Sequence, residues 1–341
     1  MLTITEGLRL QDVRKAVGAL RRMRYGKGSG RAAGPGWPID MANWKGLPWD
    51  SMICGFALAE KSASRAATGV LSLRVYVRRK VAKSRIADGM GIPAHIEIKR
   101  GRDRFRLCTD VVELPSDPSA HREMASSSSI GSFTGVTEGT LGLAVLDRNG
   151  RPFALTCSHV ASPWFRQPQG DAIESPPDRD GTAGVNTIGR VFSWTQLVPE
   201  ALHGCDAALI EPAPGVTLSN LPLRLAPGNA MGNLTLSEFL ASPSRRVQVF
   251  TRRKVISGVV QSVLNHFTMV FLGNRFHFQD VVEVNYAEPL MGGDSGGAVV
   301  DESSRQVLGL HFAGFEGTGT GFFVSAQSIT RAFSAFGLRP M

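Results

Sequence analysis

The sequence predicts a mainly-β fold with a C-terminal helix, preceded by a smaller α+β region. Three observations predict it. From about Gly131 onward, short apolar runs alternate with turn signals over roughly two hundred residues, as in a sandwich or barrels. Ala326 to Phe336 breaks that rhythm with a helical pattern. No internal repeat at a fixed period marks a solenoid.

The strands run in order along the chain. Thr140–Leu146 is strand-like, Asp147-Arg148-Asn149-Gly150 is a turn, and Arg151–Cys157 is the returning strand. Val247–Phe250, Val255–Leu264, Met269–Leu272 and Val281–Val284 continue the pattern. Ahead of them, residues 1–68 form a basic region. Leu8, Leu10, Val13, Val17, Leu20 and Met23 recur at near-helical spacing, and Gly26 to Gly36 holds five glycines and reads as a loop. Trp37, Trp44, Trp49 and Phe56 suggest a segment that packs on the later domains. Residues 69–115 form a small α+β unit. It holds a strand at Val70–Val77, a short helix at Lys80–Met90, and a hairpin over His95–Glu113 turning at Gly101-Arg102-Asp103. Residues 116–135, with a four-serine run, are a linker, and 136–341 is the main domain.

Composition narrows the function classes. The chain has 341 residues, 43% hydrophobic and 20% charged, which fits a folded protein rather than a disordered one. No apolar run is long enough for a transmembrane helix, and the first 24 residues lack the pattern of a secretory signal. Cys54, Cys108, Cys157 and Cys205 are too few and scattered for a disulfide framework, so they are expected to be reduced thiols in the cytoplasm. Residues 1–110 carry 22 Lys/Arg against 9 Asp/Glu, within an overall net charge of +9. That asymmetry suits an acidic partner or a solvated basic face. Without an aromatic-interleaved motif it does not point to nucleic acid, and no membrane partner is expected.

The chemistry concentrates in three strings. Gly292-Gly293-Asp294-Ser295-Gly296-Gly297 places a hydroxyl on a Gly-rich turn whose backbone N–H groups, from Gly293 and Ser295, can face a developing oxyanion. Leu155-Thr156-Cys157-Ser158-His159-Val160 puts a base at the end of a strand. Cys205-Asp206-Ala207-Ala208-Leu209-Ile210 puts a carboxylate at the start of an apolar one, where it would be poorly solvated without a histidine N–H. The order His159, Asp206, Ser295 is that of the chymotrypsin arrangement.

These strings resemble the Thr-Ala-Ala-His, Asp-Ile-Ala-Leu and Gly-Asp-Ser-Gly-Gly motifs of trypsin-like serine peptidases, over about residues 136–336. The resemblance implies a chymotrypsin-like double β-barrel of two six-stranded barrels, with His159 and Asp206 on the first, Ser295 on the second and the cleft between them. It implies a serine endopeptidase acting on protein or peptide substrates with no cofactor. Residues 70–115, with Arg74-Val75-Tyr76-Val77 and Thr109-Asp110-Val111-Val112, more loosely resemble the segment preceding the protease in plant narrow-leaf-type peptidases and their bacterial relatives. Two departures set expectations. No Ile-Val-Gly-Gly start precedes the first barrel, so a newly cut N-terminus is not expected to hold Asp294. Phe312 stands where the family usually has a Ser supporting the Asp, so Asp206 is expected to be held differently.

For the substrate pocket, Gly309-Leu310-His311-Phe312-Ala313-Gly314 resembles the Gly-x-His-x-x-Gly of viral 3C-type and glutamate-specific peptidases. That implies a pocket of Pro289, His311, Ala313 and Gly314, with Gln or Glu preferred before the cut. The other reading turns His311 into the barrel, satisfied by backbone. Two competing functions remain. Cys157, His159, His203 and Cys205 form pairs two apart that could share a strand face and bind zinc, but that would consume the base, and no metal is expected. The domain could also be an inert binding scaffold whose basic front contacts a partner or nucleic acid.

Overall fold

The described residues fold mainly into strands, some alternating in burial, as at Arg246–Phe250, and others buried throughout, as at Val307–Gly314, and these form two sheets. The computed structural model describes residues 53–63, 66–77, 92–100, 103–113, 129–132, 138–162, 169–175, 187–226, 231–315 and 317–341, with Val13 and Lys80. The helix expected over 1–25 (Val13 apart), the Gly-rich loop, the three Trp residues, most of Lys80–Met90 and most of the Ser-rich linker lie outside the described residues.

The N-terminal part is a run of strands: β1 (Ile53–Ala63), β2 (Ala66–Val77), β3 (His95–Arg100) and β4 (Asp103–Glu113). β3 and β4 pair antiparallel as the expected hairpin, Arg100 opposite Asp103. β1 and β2 pair across position 68, so the two units divided there from the sequence share one sheet.

An eight-stranded sheet comes next. Its members are β5 (Ser129–Ser132), β6 (Glu138–Thr140), β7 (Leu143–Leu146), β8 (Pro152–Thr156), β9 (Ala172–Glu174), β10 (Thr187–Trp194), β12 (Ala208–Pro212) and β19 (Arg339–Pro340). They lie in the order β19-β7-β8-β12-β10-β9-β5-β6, while the short β11 (Leu202–His203) leaves to join the other sheet. The single strand expected over 140–146 is broken at Gly142. A Cβ there would lie 2.1 Å from the Gly296 carbonyl oxygen, so the chain bends to meet the loop that carries Ser295.

The second sheet contains a closed six-stranded ring. β13 (Arg246–Phe250), β14 (Val255–Phe271), β15 (Asn274–Tyr286), β18 (Thr320–Ser325), β17 (Val307–Gly314) and β16 (Ala298–Asp301) pair in that cyclic order, β16 returning to β13. The runs expected at 255–264 and 269–272 are one strand, since Leu264 takes a positive φ of 56° and the resulting bulge carries pairing onward. The β14–β15 hairpin outruns the ring. β13 covers only Val255–Val259 of β14, and β1 pairs with Ser262–Phe267 beyond it. Among the described residues this is how the N-terminal strands join the second barrel. The helix expected after Ala326 is present as Ala326–Ala332, capped by the Ser325 hydroxyl, which accepts from the Ser328 N–H. The fold is thus mainly β and of the chymotrypsin-like double-barrel class.

Two apolar cores result. One joins the first sheet to the facing side of the second barrel through Phe267, Phe278, Phe312 and Phe322. The other joins Phe56, Leu58, Leu73 and Val75 to Val260, Val263, Val282 and Val284 of the β14–β15 hairpin. Each such side chain contributes about 1.5–3 kcal/mol on burial. At that seam Tyr76 is 1% exposed and donates to Glu283 Oε2 at 2.5 Å, while the Ser262 hydroxyl donates to the same oxygen at 2.6 Å. Burial, reinforced by the carboxylate, pushes the phenol well above its ordinary pKa, so it stays a donor.

Candidate active site

Antiparallel pairing brings His159 and Asp206 together. Ala208 of β12 lies opposite Thr156 of β8, so the residues just outside that pair, Asp206 and the turn Ser158–Ala161, meet at the end of the sheet. The Ser158 hydroxyl donates to the Ala207 carbonyl at 2.6 Å, and Ala207 N–H donates to the Thr195 hydroxyl at 2.9 Å, which fixes the approach. His159 Nδ1 then sits 2.5 Å from Asp206 Oδ2, and the His159 backbone N–H donates to Asp206 Oδ1 at 3.1 Å. Asp206 is fully buried and His159 is 1% exposed. Asp206 is therefore held by both histidine donors. Phe312 instead packs its ring on Phe278, with centroids 4.8 Å apart, and serves the core. Phe271, at the tip of the β14–β15 hairpin, sets its ring edge-on to His159 at 5.1 Å.

The Ser-bearing loop leads into β16. β13 pairs with β16, Phe250 opposite Ala298, so the turn after Phe250 lies beside the loop. Two consecutive arginines in that turn grip it. Arg253 donates to both Asp294 oxygens, at 3.4 and 2.7 Å, in the place where a new N-terminus was not expected. Arg252 donates to the Gly292 carbonyl at 2.9 Å and to Glu138 at 2.6 Å. From the first sheet, Thr140 N–H donates to the Ser295 carbonyl at 2.7 Å and its hydroxyl to the Gly293 carbonyl at 2.9 Å. Gly293 has φ +83°. Among the described residues, neither the Gly293 nor the Ser295 N–H has a protein acceptor. The Ser295 hydroxyl donates to the Phe312 carbonyl at 3.2 Å. The two loops meet at one atom: the His311 carbonyl accepts from Gly296 N–H at 2.8 Å and from Cys157 Sγ at 3.4 Å.

His311, Ala313 and Gly314 lie buried on β17. Pro289 is exposed, whereas its neighbour Leu290 is buried. A Cβ on Gly321 of β18 would lie 2.9 Å from Tyr286, 3.0 Å from the His311 ring and 3.1 Å from Leu290, so these three side chains converge tightly on the glycine. Tyr286 faces His311 edge-on at 6.0 Å, and its buried hydroxyl has no hydrogen-bond partner among the described residues. Tyr286, Leu290 and Gly321 lie on elements that the motif strings do not touch, so sequence reasoning missed them. It missed Glu138, Thr140, Arg252 and Arg253 for the same reason.

The Cys/His group does not assemble as drawn from the sequence. Among the described residues the ligand atoms within 4.8 Å of one another belong to Cys157, His159 and Asp206. His203 turns its Nε2 to the Val198 carbonyl at 2.9 Å and packs on Phe276 and Phe278. Burial and nearby Asp206 push both the Cys157 and Cys205 thiols up, so neither is a ready thiolate. Among the described residues, no helix is long and apolar enough to cross a membrane.

No protein-family model matches the chain, and no curated protein matches it. In structure it is similar to chymotrypsin-type serine proteases. Thermobifida fusca protease A is 16% identical with a TM-score of 0.42, over 62% of this chain and 95% of that one. Cellulomonas bogoriensis chymotrypsin is 17% identical at 0.41, over 62% and 95%, and Nocardiopsis protease is 16% identical at 0.41, over 66% and 99%.

Proposed function

We propose that the chain is a serine endopeptidase acting on protein substrates in the cytoplasm. The observation that carries this is the buried His159–Asp206 pair, at 2.5 Å, beside a Gly-Asp-Ser-Gly-Gly loop with two unused N–H groups. Asp206 fixes the tautomer with the proton on Nδ1, which leaves Nε2 as the base. Ser295 turns from the Phe312 carbonyl, gives its proton to His159 and attacks the scissile carbonyl. The oxyanion falls between the N–H groups of Gly293 and Ser295. His159 returns the proton to the leaving amine, and water then repeats the sequence on the acyl-enzyme. The free thiols of Cys108, Cys157 and Cys205 suit a reducing compartment. Ser295→Ala or His159→Ala should lower turnover about 10⁶-fold, as for a unit that acts together. Retention of more than a few per cent of turnover in Ser295→Ala would refute the assignment.

Gln or Glu is the proposed residue before the cut. The His311 and Tyr286 rings both pack against Gly321, and an imidazole N–H and a phenol hydroxyl can each donate to a side-chain carbonyl or carboxylate. Peptides with Gln or Glu should exceed Ala by about 10⁴ in kcat/KM, and His311→Ala should erase the difference. Cleavage after Leu or Arg, unchanged by His311→Ala, would contradict it. The inert scaffold is the second reading. It is favoured by the Ser295 hydroxyl being buried and bonded to the Phe312 carbonyl.

A further inference from the structure

The ion pair of Glu138 and Arg252 lies beneath the Ser295 loop, with side chains 7% and 2% exposed. Burying two charges is costly, and an apolar pair of similar volume is often at least as stable, so the placement of these two charges is what needs an account. Arg252 NH1 donates to Glu138 Oε2 at 2.6 Å, and NH2 donates to the Gly292 carbonyl at 2.9 Å. The guanidinium fills the space under Gly293, where a Cβ would come within 2.3 Å of its Cζ. The peptide joining Gly292 to Gly293 is planar and trans, so its C=O and N–H point in opposite directions. Pinning the Gly292 oxygen on Arg252 therefore turns the Gly293 N–H the other way, into the oxyanion hole.

We infer that Glu138 is a positioning residue: it fixes Arg252, which holds the Gly292–Gly293 peptide in the orientation that offers the Gly293 N–H to the oxyanion. The inference rests on the serine-peptidase reading above. Glu138 comes from β6, the strand that follows the Ser-rich segment, and so ties the first sheet to the nucleophile loop of the second barrel. Thr140, two residues on, reinforces the tie, since its hydroxyl accepts the Arg252 N–H at 3.2 Å and donates to the Gly293 carbonyl.

The test compares wild type, Ser295→Ala, Glu138→Gln and the double variant Glu138→Leu/Arg252→Met in the full chain. The double variant removes both charges together, a change that buried pairs tolerate. The substrate is p-nitrophenyl acetate, which makes little demand on the specificity pocket. Cooperative melting establishes that each variant is folded. We expect kcat to fall 10- to 100-fold in both Glu138 variants, with KM within about twofold, as for a misplaced catalytic donor. The second measurement uses N-acetyl-alanyl chloromethyl ketone, labelled with ¹³C at its carbonyl. Its hemiketal oxyanion should titrate about one pH unit higher in the folded variants, the equivalent of tenfold weaker stabilisation. A folded double variant with wild-type kcat and a wild-type hemiketal titration would overturn the inference. Wild type with no Ser295-dependent turnover would instead overturn the peptidase reading on which it stands.

Discussion

At the scale of the residue, Tyr286, His311 and Leu290 pack against Gly321 in the proposed pocket. Gly321→Ala inserts a methyl about 3 Å from all three. Peptide cleavage should fall at least about tenfold in kcat/KM, since one misplaced methyl group in a pocket is worth that much. Turnover of p-nitrophenyl acetate should stay near wild type, and equal losses on both would place Gly321 outside the pocket. The proposed nucleophile, base and carboxylate stand out in the sequence because such chemistry constrains its neighbours. Gly296, for example, has φ +94° and backs onto the Thr140 carbonyl, so few other residues fit there. The groups that hold the loop were not legible. Glu138, Arg252 and Arg253 act through side chains reaching across 40 to 114 residues, and an arginine in a turn looks the same whether solvated or buried.

At the scale of the element, short turns carry much of the polar bonding. Asp301 ends β16 with its side chain 1% exposed, and accepts from Arg245 at 2.5 Å, the Ser303 hydroxyl at 2.7 Å and the Ser304 N–H at 2.6 Å. Burial alone would push this carboxyl up, but the Ser303, Ser304 and Arg245 donors outweigh it and hold it well below the usual carboxylate range. A carboxyl whose pKa is depressed by folding stabilises above its unfolded value, about 3.9, and loses that contribution as pH falls below it. The gap in Tm between wild type and Asp301→Asn should therefore be full at pH 6 and narrower at pH 3. An equal gap at both would contradict the assignment. The same scale shows where periodicity misleads. The 255–264 and 269–272 runs read as separate strands because the bulge at Leu264 shifts the apolar face, although the chain continues as β14. The 95–113 hairpin was legible because its two strands pair without a shift in register about the expected Gly101-Arg102 turn.

At the scale of the whole molecule, the N-terminal strands share a sheet and a core with the second barrel, a relation that no local pattern announces. β1 completes the edge of β14 past the reach of β13, and the hairpin so extended ends at Phe271 against His159. The proposed triad and oxyanion residues all lie beyond residue 138, yet a chain beginning near Gly131 would expose the apolar surface that Phe56, Leu58, Leu73 and Val75 cover. Tyr76→Phe tests the seam with a single atom. It removes a donor from buried Glu283 and should cost about 1–3 kcal/mol in denaturant unfolding, the penalty for an under-satisfied buried acceptor. A loss below about 0.3 kcal/mol would mean that the network contributes nothing to the union of the two parts.

Everything proposed for the site depends on Ser295 being an activated nucleophile, and covalent labelling tests that most directly. A fluorophosphonate probe incubated with the full chain, followed by peptide mass spectrometry, should place one phosphonyl group on Ser295. His159→Ala should slow the labelling by orders of magnitude, and Ser295→Ala should abolish it. A folded wild-type chain that stays unlabelled, or that labels equally well without His159, would contradict the claim.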